Sequence, residues 1–157
     1  MKIANGAAIK DGFLNRIDID NKLVTPYIDT NSRTMVPIRF LAESLGATVD
    51  WDGNTQRITI MFNNKKIIMT VGSKEYSIDN AAKVMDTMPV INKGWSRTMV
   101  PIRFVAEALG MDVKWDPDNR LVIVSPLSSP WDLDGTVEKE VLTNILLLFS
   151  PLMRDFN

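Results

Sequence analysis

Two short segments of the chain carry apolar residues at the spacing of an amphipathic helix. Pro37–Leu45 and Pro101–Leu109 each place apolar side chains at positions i, i+3, i+4 and i+7. A proline suits the first helical position, where its missing N–H costs nothing. Gly46 and Gly110 then follow the last turn, where glycine adopts the left-handed conformation cheaply. The pattern therefore predicts two helices with one apolar stripe each. The stripes are Ile38, Leu41, Ala42 and Leu45, and Ile102, Val105, Ala106 and Leu109.

Between the two helices, apolar and polar residues alternate with the period of half-buried β-strands. Short turns between consecutive strands favour an antiparallel meander, and two helices on one face of it would bury both stripes. Outside this block, Lys2–Tyr27 predicts two or three further strands, and Thr136–Phe149 predicts a helix. The five strands of the predicted meander are Ala47–Trp51, Arg57–Phe62, Lys66–Val71, Glu75–Ile78 and Val84–Met99.

An internal repeat is the dominant signal in the sequence. Ser32–Asp52 reads SRTMVPIRFLAESLGATVDWD, and Ser96–Asp116 reads SRTMVPIRFVAEALGMDVKWD. Such similarity indicates a duplicated unit of strand, short helix and strand. We therefore predict an α+β fold: a two-layer α-β(5)-α arrangement with an antiparallel meander sheet, plus N-terminal strands and a C-terminal helix.

The repeat also predicts the organisation of the chain. Residues 1–29 would supply N-terminal strands that join the module, and residues 30–125 would form it, with pseudo-repeats at 32–60 and 96–124. Residues 126–157 would form a linker rich in proline and serine, followed by an apolar helix.

The composition excludes several kinds of chemistry. The 157 residues include no histidine and no cysteine. Disulfides, thiolate metal sites, catalytic zinc, type-2 copper and a Ser-His-Asp triad are therefore excluded by residue type. The net charge of −1 supplies no basic field for nucleic acid or an anionic membrane. We expect no metal, no cofactor and no nucleic-acid partner.

Neither a signal peptide nor a membrane span is predicted. Met1–Gly12 lacks the apolar core of a signal peptide, and the longest apolar run, Ile145–Phe149, is too short to cross a bilayer. We expect a chain that does not span the membrane, as a mature form or as a fragment.

The pattern RTMVPIRF-x-AE-x-LG-x-x-V-x-WD resembles the copper amine oxidase N-terminal-like domain, a module of surface and secreted proteins of Gram-positive bacteria. The resemblance covers roughly Thr30–Val124. It implies the small stalk domain of these oxidases, which is a two-layer α-β(5)-α fold and not the catalytic domain. The oxidase reaction needs copper held by histidines and a quinone derived from tyrosine, so the resemblance implies the fold and the context without the activity.

Several polar patterns have a structural interpretation that outweighs a functional one. Arg39 and Glu43, like Arg103 and Glu107, lie four residues apart, as in a helical ion pair. Asp50, Asp52 and Asn54, like Asp116, Asp118 and Asn119, resemble the start of a calcium loop but have neither its glycine nor its final glutamate, which favours hairpin turns. The nine methionines are scattered, which favours core packing over copper(I) binding.

Three aromatic residues are the candidate contacts for a ligand or partner. Trp95 lies in a predicted loop, where an aromatic side chain is unusual without a contact. At 100° per residue, Phe40 and Phe104 fall on the side of their helices away from the apolar stripe, so we expect another element to cover each ring. The N-terminal strands and the tail helix are the candidate covers. Trp51 and Trp115 share a strand face with valines, which favours the core.

The C-terminal helix is the candidate oligomer interface. Its apolar residues form two adjacent stripes, wider than a surface helix needs, and the proline-flanked linker Ser125–Pro130 favours an intermolecular contact. A two-fold homodimer is the simplest closed form. The candidate interface residues are Val141, Leu142, Ile145, Leu146, Phe149 and Met153.

Together these features favour a non-enzymatic structural or adhesive module that assembles with a protein partner or with itself through sheet edges and the tail helix. The expected setting is extracellular or associated with the cell wall. A cell-wall glycan-binding module is the first alternative, and a structural component of a cytoplasmic, phage-tail-like particle is the second. An enzyme that acts on polysaccharide through its carboxylates is the least favoured class, because each helical glutamate has a cation beside it.

Overall fold

The computed structural model describes residues 7–10, 13–136 and 138–144 of the chain. They form two compact units, one from 27–109 and the other from the residues on either side of that stretch. Thirteen strands and two helices are defined in them, and residues 138–144 add a further helical segment. The strands are β1 (Ala7–Lys10), β2 (Phe13–Arg16), β3 (Tyr27–Ile28), β4 (Thr34–Pro37), β5 (Thr48–Asp52), β6 (Arg57–Phe62), β7 (Lys65–Thr70), β8 (Glu75–Ile78), β9 (Ala81–Val84), β10 (Val90–Asn92), β11 (Arg97–Pro101), β12 (Met111–Asp116) and β13 (Leu121–Pro126), and the helices are α1 (Ile38–Ser44) and α2 (Ile102–Ala108).

The unit 27–109 contains the predicted five-stranded antiparallel meander, in the order β5-β6-β7-β8-β9. One face of this sheet is fully buried at its centre, because alternate residues of β6 and β7 point the same way. The buried side chains, all 0% exposed, are Ile58, Ile60, Ile67 and Met69. The mixed α+β class and the meander are therefore confirmed.

The fifth strand of the meander is not where the sequence pattern places it. The predicted strand Val84–Met99 is wrong, since this stretch holds the last residue of β9, the whole of β10 and the start of β11. The cause is a two-residue turn at Asp79 and Asn80, both with positive φ (50° and 69°), which reverses the chain directly after β8. The predicted turn at Asn63-Asn64 has the same conformation, with φ of 46° and 63°.

The same unit contains a four-stranded sheet in the order β10-β11-β4-β3. Its centre joins the two repeats, because Val100 pairs with its own counterpart Val36. On either side, Met99 pairs with Pro37 and Pro101 pairs with Met35, so the ladder is symmetric under exchange of the copies. Both helices contact β4 and β11. The duplicated strands therefore meet about a local two-fold axis.

The two helices begin and end at equivalent residues of the repeat. Pro37 and Pro101, predicted as the first helical residues, are instead the N-caps, because each still belongs to its strand, and the helices begin one residue later at Ile38 and Ile102. Gly46 and Gly110 follow the C-caps with φ of 79° and 83°, as the sequence predicts. The predicted stripes are largely buried, apart from Leu45, which is half-exposed. The buried stripe residues are Ile38, Leu41 and Ala42 in α1, and Ile102, Val105, Ala106 and Leu109 in the second copy.

The other unit holds two antiparallel hairpins, β1-β2 and β12-β13, among its described residues. The structure has strands in the N-terminal region, as predicted. The apolar residues Ile17, Ile19 and Val24, whose pattern also suggests strands, lie outside them. The tail helix is described at 136 and over 138–144, and the rest of the predicted helix lies outside the described residues. Within those residues, no helix combines the length and the apolar character needed to cross a membrane.

Candidate interaction sites

Trp95 lies in the turn between β10 and β11 and packs against Tyr27. Its backbone N–H donates to the side-chain oxygen of Asn92 at 3.1 Å, which fixes the turn. The rings of Trp95 and Tyr27 meet edge to face, with centroids 6.3 Å apart and an interplanar angle of 64°. Burial, and then the nearby Asp29 carboxylate, raise the pKa of the Tyr27 hydroxyl. The two rings form a half-buried aromatic pair at the end of the four-stranded sheet.

Phe40 and Phe104 are both half-buried. Phe104 meets Tyr76 of β8 edge to face, with centroids 6.3 Å apart. Tyr76 is a neighbour that the sequence analysis does not name, and cover by the N-terminal strands or the tail helix stays a prediction. Burial, and then the nearby Glu107, raise the pKa of the Tyr76 hydroxyl. This ring pair ties α2 to the meander.

Trp51 corrects the expectation that both repeat tryptophans are core residues. Along β5 and the residue before it, exposure rises from Ala47, which is 4% exposed, through half-buried Val49 to Trp51, which is 39% exposed. The alternation predicts the face of the strand correctly but not where the layer that covers it ends. Trp115 of the second copy is half-buried.

A polar cluster fastens the turn before β4 to the segment that follows β9. Thr87, 3% exposed, donates its hydroxyl to the Asp29 carboxylate at 2.6 Å and accepts from the Asn31 amide at 3.3 Å. Asp29 also accepts the backbone N–H groups of Asn31 at 2.9 Å and Arg33 at 2.8 Å. These partners satisfy the buried hydroxyl, so the cluster has a structural explanation.

An exposed ion pair lies beside this cluster. The Arg33 guanidinium donates from Nε to Asp86 Oδ2 at 2.8 Å, and a second guanidinium nitrogen contacts the same oxygen. The hydrogen bond from Arg33 lowers the pKa of Asp86, and Asp86 in turn raises the pKa of Arg33. A separate ion pair within α2 joins Arg103 to Glu107 at 3.8 Å, as predicted for that helix.

The aspartates of the two repeat turns bind backbone, as expected for hairpin turns. Asp52 accepts from the Thr55 hydroxyl at 2.6 Å and the Asn54 N–H at 2.9 Å, and these bonds lower its pKa. Asp116 accepts from Asp118 N–H at 3.0 Å and from the Asn119 amide at 2.8 Å. Among the described residues, no group of three acidic side chains is arranged to hold a metal ion.

The outer edge of β9 is a candidate site that the sequence pattern does not reveal. All four residues, Ala81–Val84, are exposed, and the Val84 side chain is 72% exposed. The β8–β9 pairing and the bond from Met85 N–H to the Lys74 carbonyl (2.8 Å) direct Ala81 and Lys83 toward β8. The backbone groups of Ala82 and Val84 therefore point away from the sheet, where the described part of the chain offers them no partner.

A comparison with known families identifies the fold of the repeat module. The profile of the copper amine oxidase N-terminal domain matches residues 14–124. The chain belongs to this family. No curated protein sequence matches the chain.

Membership of the copper amine oxidase N-terminal domain family agrees with the resemblance carried by the repeat motif. The family is the non-catalytic N-terminal domain of these oxidases. The residues of this member do not fit a copper centre, because the whole chain has neither histidine nor cysteine to donate.

Two of the six predicted interface residues in the tail, Val141 and Leu142, are among the residues that the structure describes. Val141 is 41% exposed and Leu142 is half-buried on the helical segment 138–144. Ile145, Leu146, Phe149 and Met153 lie outside the described residues.

Proposed function

We propose that this member of the copper amine oxidase N-terminal domain family is a non-enzymatic protein-binding module. It would assemble with another polypeptide by adding a strand to the outer edge of β9. The open edge of β9 carries this proposal, since Ala82 and Val84 present donors and acceptors to solvent. An extended segment of a partner can bind such an edge through main-chain hydrogen bonds.

The rest of the meander makes β9 a firm docking element. Four other strands hold it in one sheet, and the buried face beneath that sheet is apolar and 0% exposed at its centre. A partner strand would therefore meet a preorganised template, which lowers the entropy lost on binding. The opposite edge strand, β5, contacts α1, so β9 is the more accessible edge of the sheet.

A single proline substitution at Ala82 tests this function. Peptides selected from a random display library against the full chain should bind Ala82→Pro about tenfold more weakly, because the substitution removes an outward N–H. Ala82→Thr keeps that N–H and is the matched control, which should bind as the native chain does. Thermal unfolding checks that both variants are folded. Equal peptide affinity for native chain and Ala82→Pro would rule out the β9 edge.

Binding of cell-wall glycan is the second candidate function. The exposed indole of Trp51 and the half-buried pair of Trp95 and Tyr27 support it, because aromatic rings pack well on sugar rings. Soluble cell-wall polysaccharide should then shift the tryptophan fluorescence, and Trp51→Ala or Trp95→Ala should abolish the shift. If polysaccharide changes neither the fluorescence nor its quenching, the glycan function is rejected.

We propose a cellular location together with this function. An extracellular or wall-associated location is supported by the resemblance of the repeat motif to modules of surface proteins. A phage-tail-like particle in the cytoplasm is the alternative. Immunogold labelling of intact and lysed cells of the native host distinguishes the two locations.

A further inference from the structure

The edge of β9 has a charge placed where it controls pairing. Lys83 lies between the two residues whose backbone points outward, and it is in register with Tyr76 of β8. Its side chain is therefore on the same face as Tyr76 and Met69, the face that is buried at the centre of the sheet. Lys83 itself is exposed because β9 is the last strand. Among the described residues, no ion pair neutralises it.

A lysine in this position opposes pairing of β9 with a second copy of itself. In the two-fold antiparallel arrangement that uses both outward residues, Ala82 bonds Val84 of the second copy. That register places Lys83 directly opposite Lys83 of the second copy. Like charges directly opposite each other in a ladder are destabilising, and lysines facing inward on edge strands are a known device against edge-to-edge association.

The two neighbouring registers separate the lysines, but each of them loses backbone hydrogen bonds. Centring the pair on Ala82 sets Val84 against Asn80, whose φ of 69° belongs to the turn and not to a strand. Centring it on Val84 sets Ala82 against Asp86, which lies beyond the strand and is held by Arg33. Each alternative leaves only the central pair of residues properly bonded.

We infer that the β9 edge selects an extended segment of a different protein in which an acidic residue lies between two apolar residues. Paired antiparallel, the acidic side chain lies opposite Lys83, and the two apolar side chains lie beside Ala82 and Val84 on the other face. The same lysine thus repels a second copy and attracts the partner, which is how charge gives specificity to an interface. This inference rests on the proposed docking at β9.

Two short probe peptides with central Val-Glu-Val and Val-Lys-Val sequences test the inference on the full chain. The affinity of each is measured by NMR titration, following the amides of Ala82 and Val84. We expect the glutamate peptide to bind about fivefold more tightly than the lysine peptide. Lys83→Glu should reverse that preference, and Lys93→Glu, which makes the same charge change in the exposed β10–β11 turn, should preserve it.

The outcomes separate the inference from the function on which it rests. If both peptides shift the Ala82 and Val84 amides with equal affinity, strand addition stands and charge selection is overturned. If neither peptide shifts those amides at millimolar concentration, docking at β9 fails and the inference fails with it. Reversal of the preference by Lys83→Glu, with no reversal by Lys93→Glu, supports both.

Discussion

The hydroxyl of Thr87 shows how a single buried polar group joins distant parts of the sequence. It bonds Asp29 and Asn31 in the turn before β4, although it follows β9 in the chain. Asp29, Asn31 and Thr87 all lie outside the two copies of the repeat, so nothing in the repeat pattern points to Thr87. Its contribution follows only from its burial and its partners.

Thr87→Val tests this contribution. The substitution removes a buried hydroxyl and leaves an oxygen of half-buried Asp29 without its donor, so we expect a loss of about 1–3 kcal/mol in the free energy of unfolding by urea. Thr55→Val is the control, because Thr55 makes an equally short bond to Asp52 in an exposed turn. The control should cost less than about 0.5 kcal/mol. Equal losses for the two variants would contradict a stabilising role for the buried Thr87 hydroxyl.

The Arg33–Asp86 ion pair predicts a dependence of stability on pH. The pKa of Asp86 is lower in the folded chain than in the unfolded chain. The ion pair therefore stabilises the fold above the unfolded pKa of about 4, and this contribution is lost as the pH falls through the folded value. Urea unfolding of Asp86→Asn should lose less stability on acidification than the native chain does. An identical pH profile would show that the ion pair contributes nothing to folding.

At the scale of elements, the repeat motif carries most of what the sequence predicts. Helix ends at Gly46 and Gly110, and strands β6 to β8, follow from local patterns of period and turn chemistry. The hairpin at Asp79-Asn80 does not, because neither residue is glycine and the pattern of apolar residues around it is weak. The strand Val84–Met99 is consequently misplaced, and with it the edge that becomes the candidate site.

The element that covers a side chain is harder to predict than the face of the helix or strand on which that side chain lies. Helical periodicity places Phe104 away from the stripe and indicates that something covers it. Only the packing of α2 on the meander identifies Tyr76 as its neighbour. For Trp51, the alternation places the ring on the inner face, yet the strand extends beyond the layer above it.

A double-mutant cycle on Tyr76 and Phe104 tests the contact between α2 and β8. An edge-to-face pair contributes about 0.5–1.5 kcal/mol beyond the burial of the rings, so Tyr76→Leu and Phe104→Leu should be non-additive by that amount in urea unfolding. The same cycle with Phe40→Leu in place of Phe104→Leu is the control and should be additive. Additivity in both cycles would show that the contact between the two rings does not stabilise the fold.

At the scale of the whole molecule, the tail remains a predicted interface. The apolar residues after 136 would aggregate if they were exposed, and a second copy or another protein could cover them. Light scattering of the full chain and of a chain without Ser129–Asn157 tests this prediction. We expect the full chain to self-associate at micromolar concentration and the deletion to reduce its mass to that of a monomer. A full chain that stays monomeric at high concentration, with a deletion equally soluble and equally stable to urea, would contradict it.

The proposed completion of the open β9 edge by a partner strand is measured directly by amide hydrogen exchange along Ala81–Val84. In the free full chain, the amides of Ala81 and Lys83 should be protected by β8, while those of Ala82 and Val84 exchange rapidly. With the Val-Glu-Val peptide at saturation, Ala82 and Val84 should become protected as well. Protection of Ala82 and Val84 in the dilute free chain, or unchanged rapid exchange in the presence of the peptide, would contradict the account.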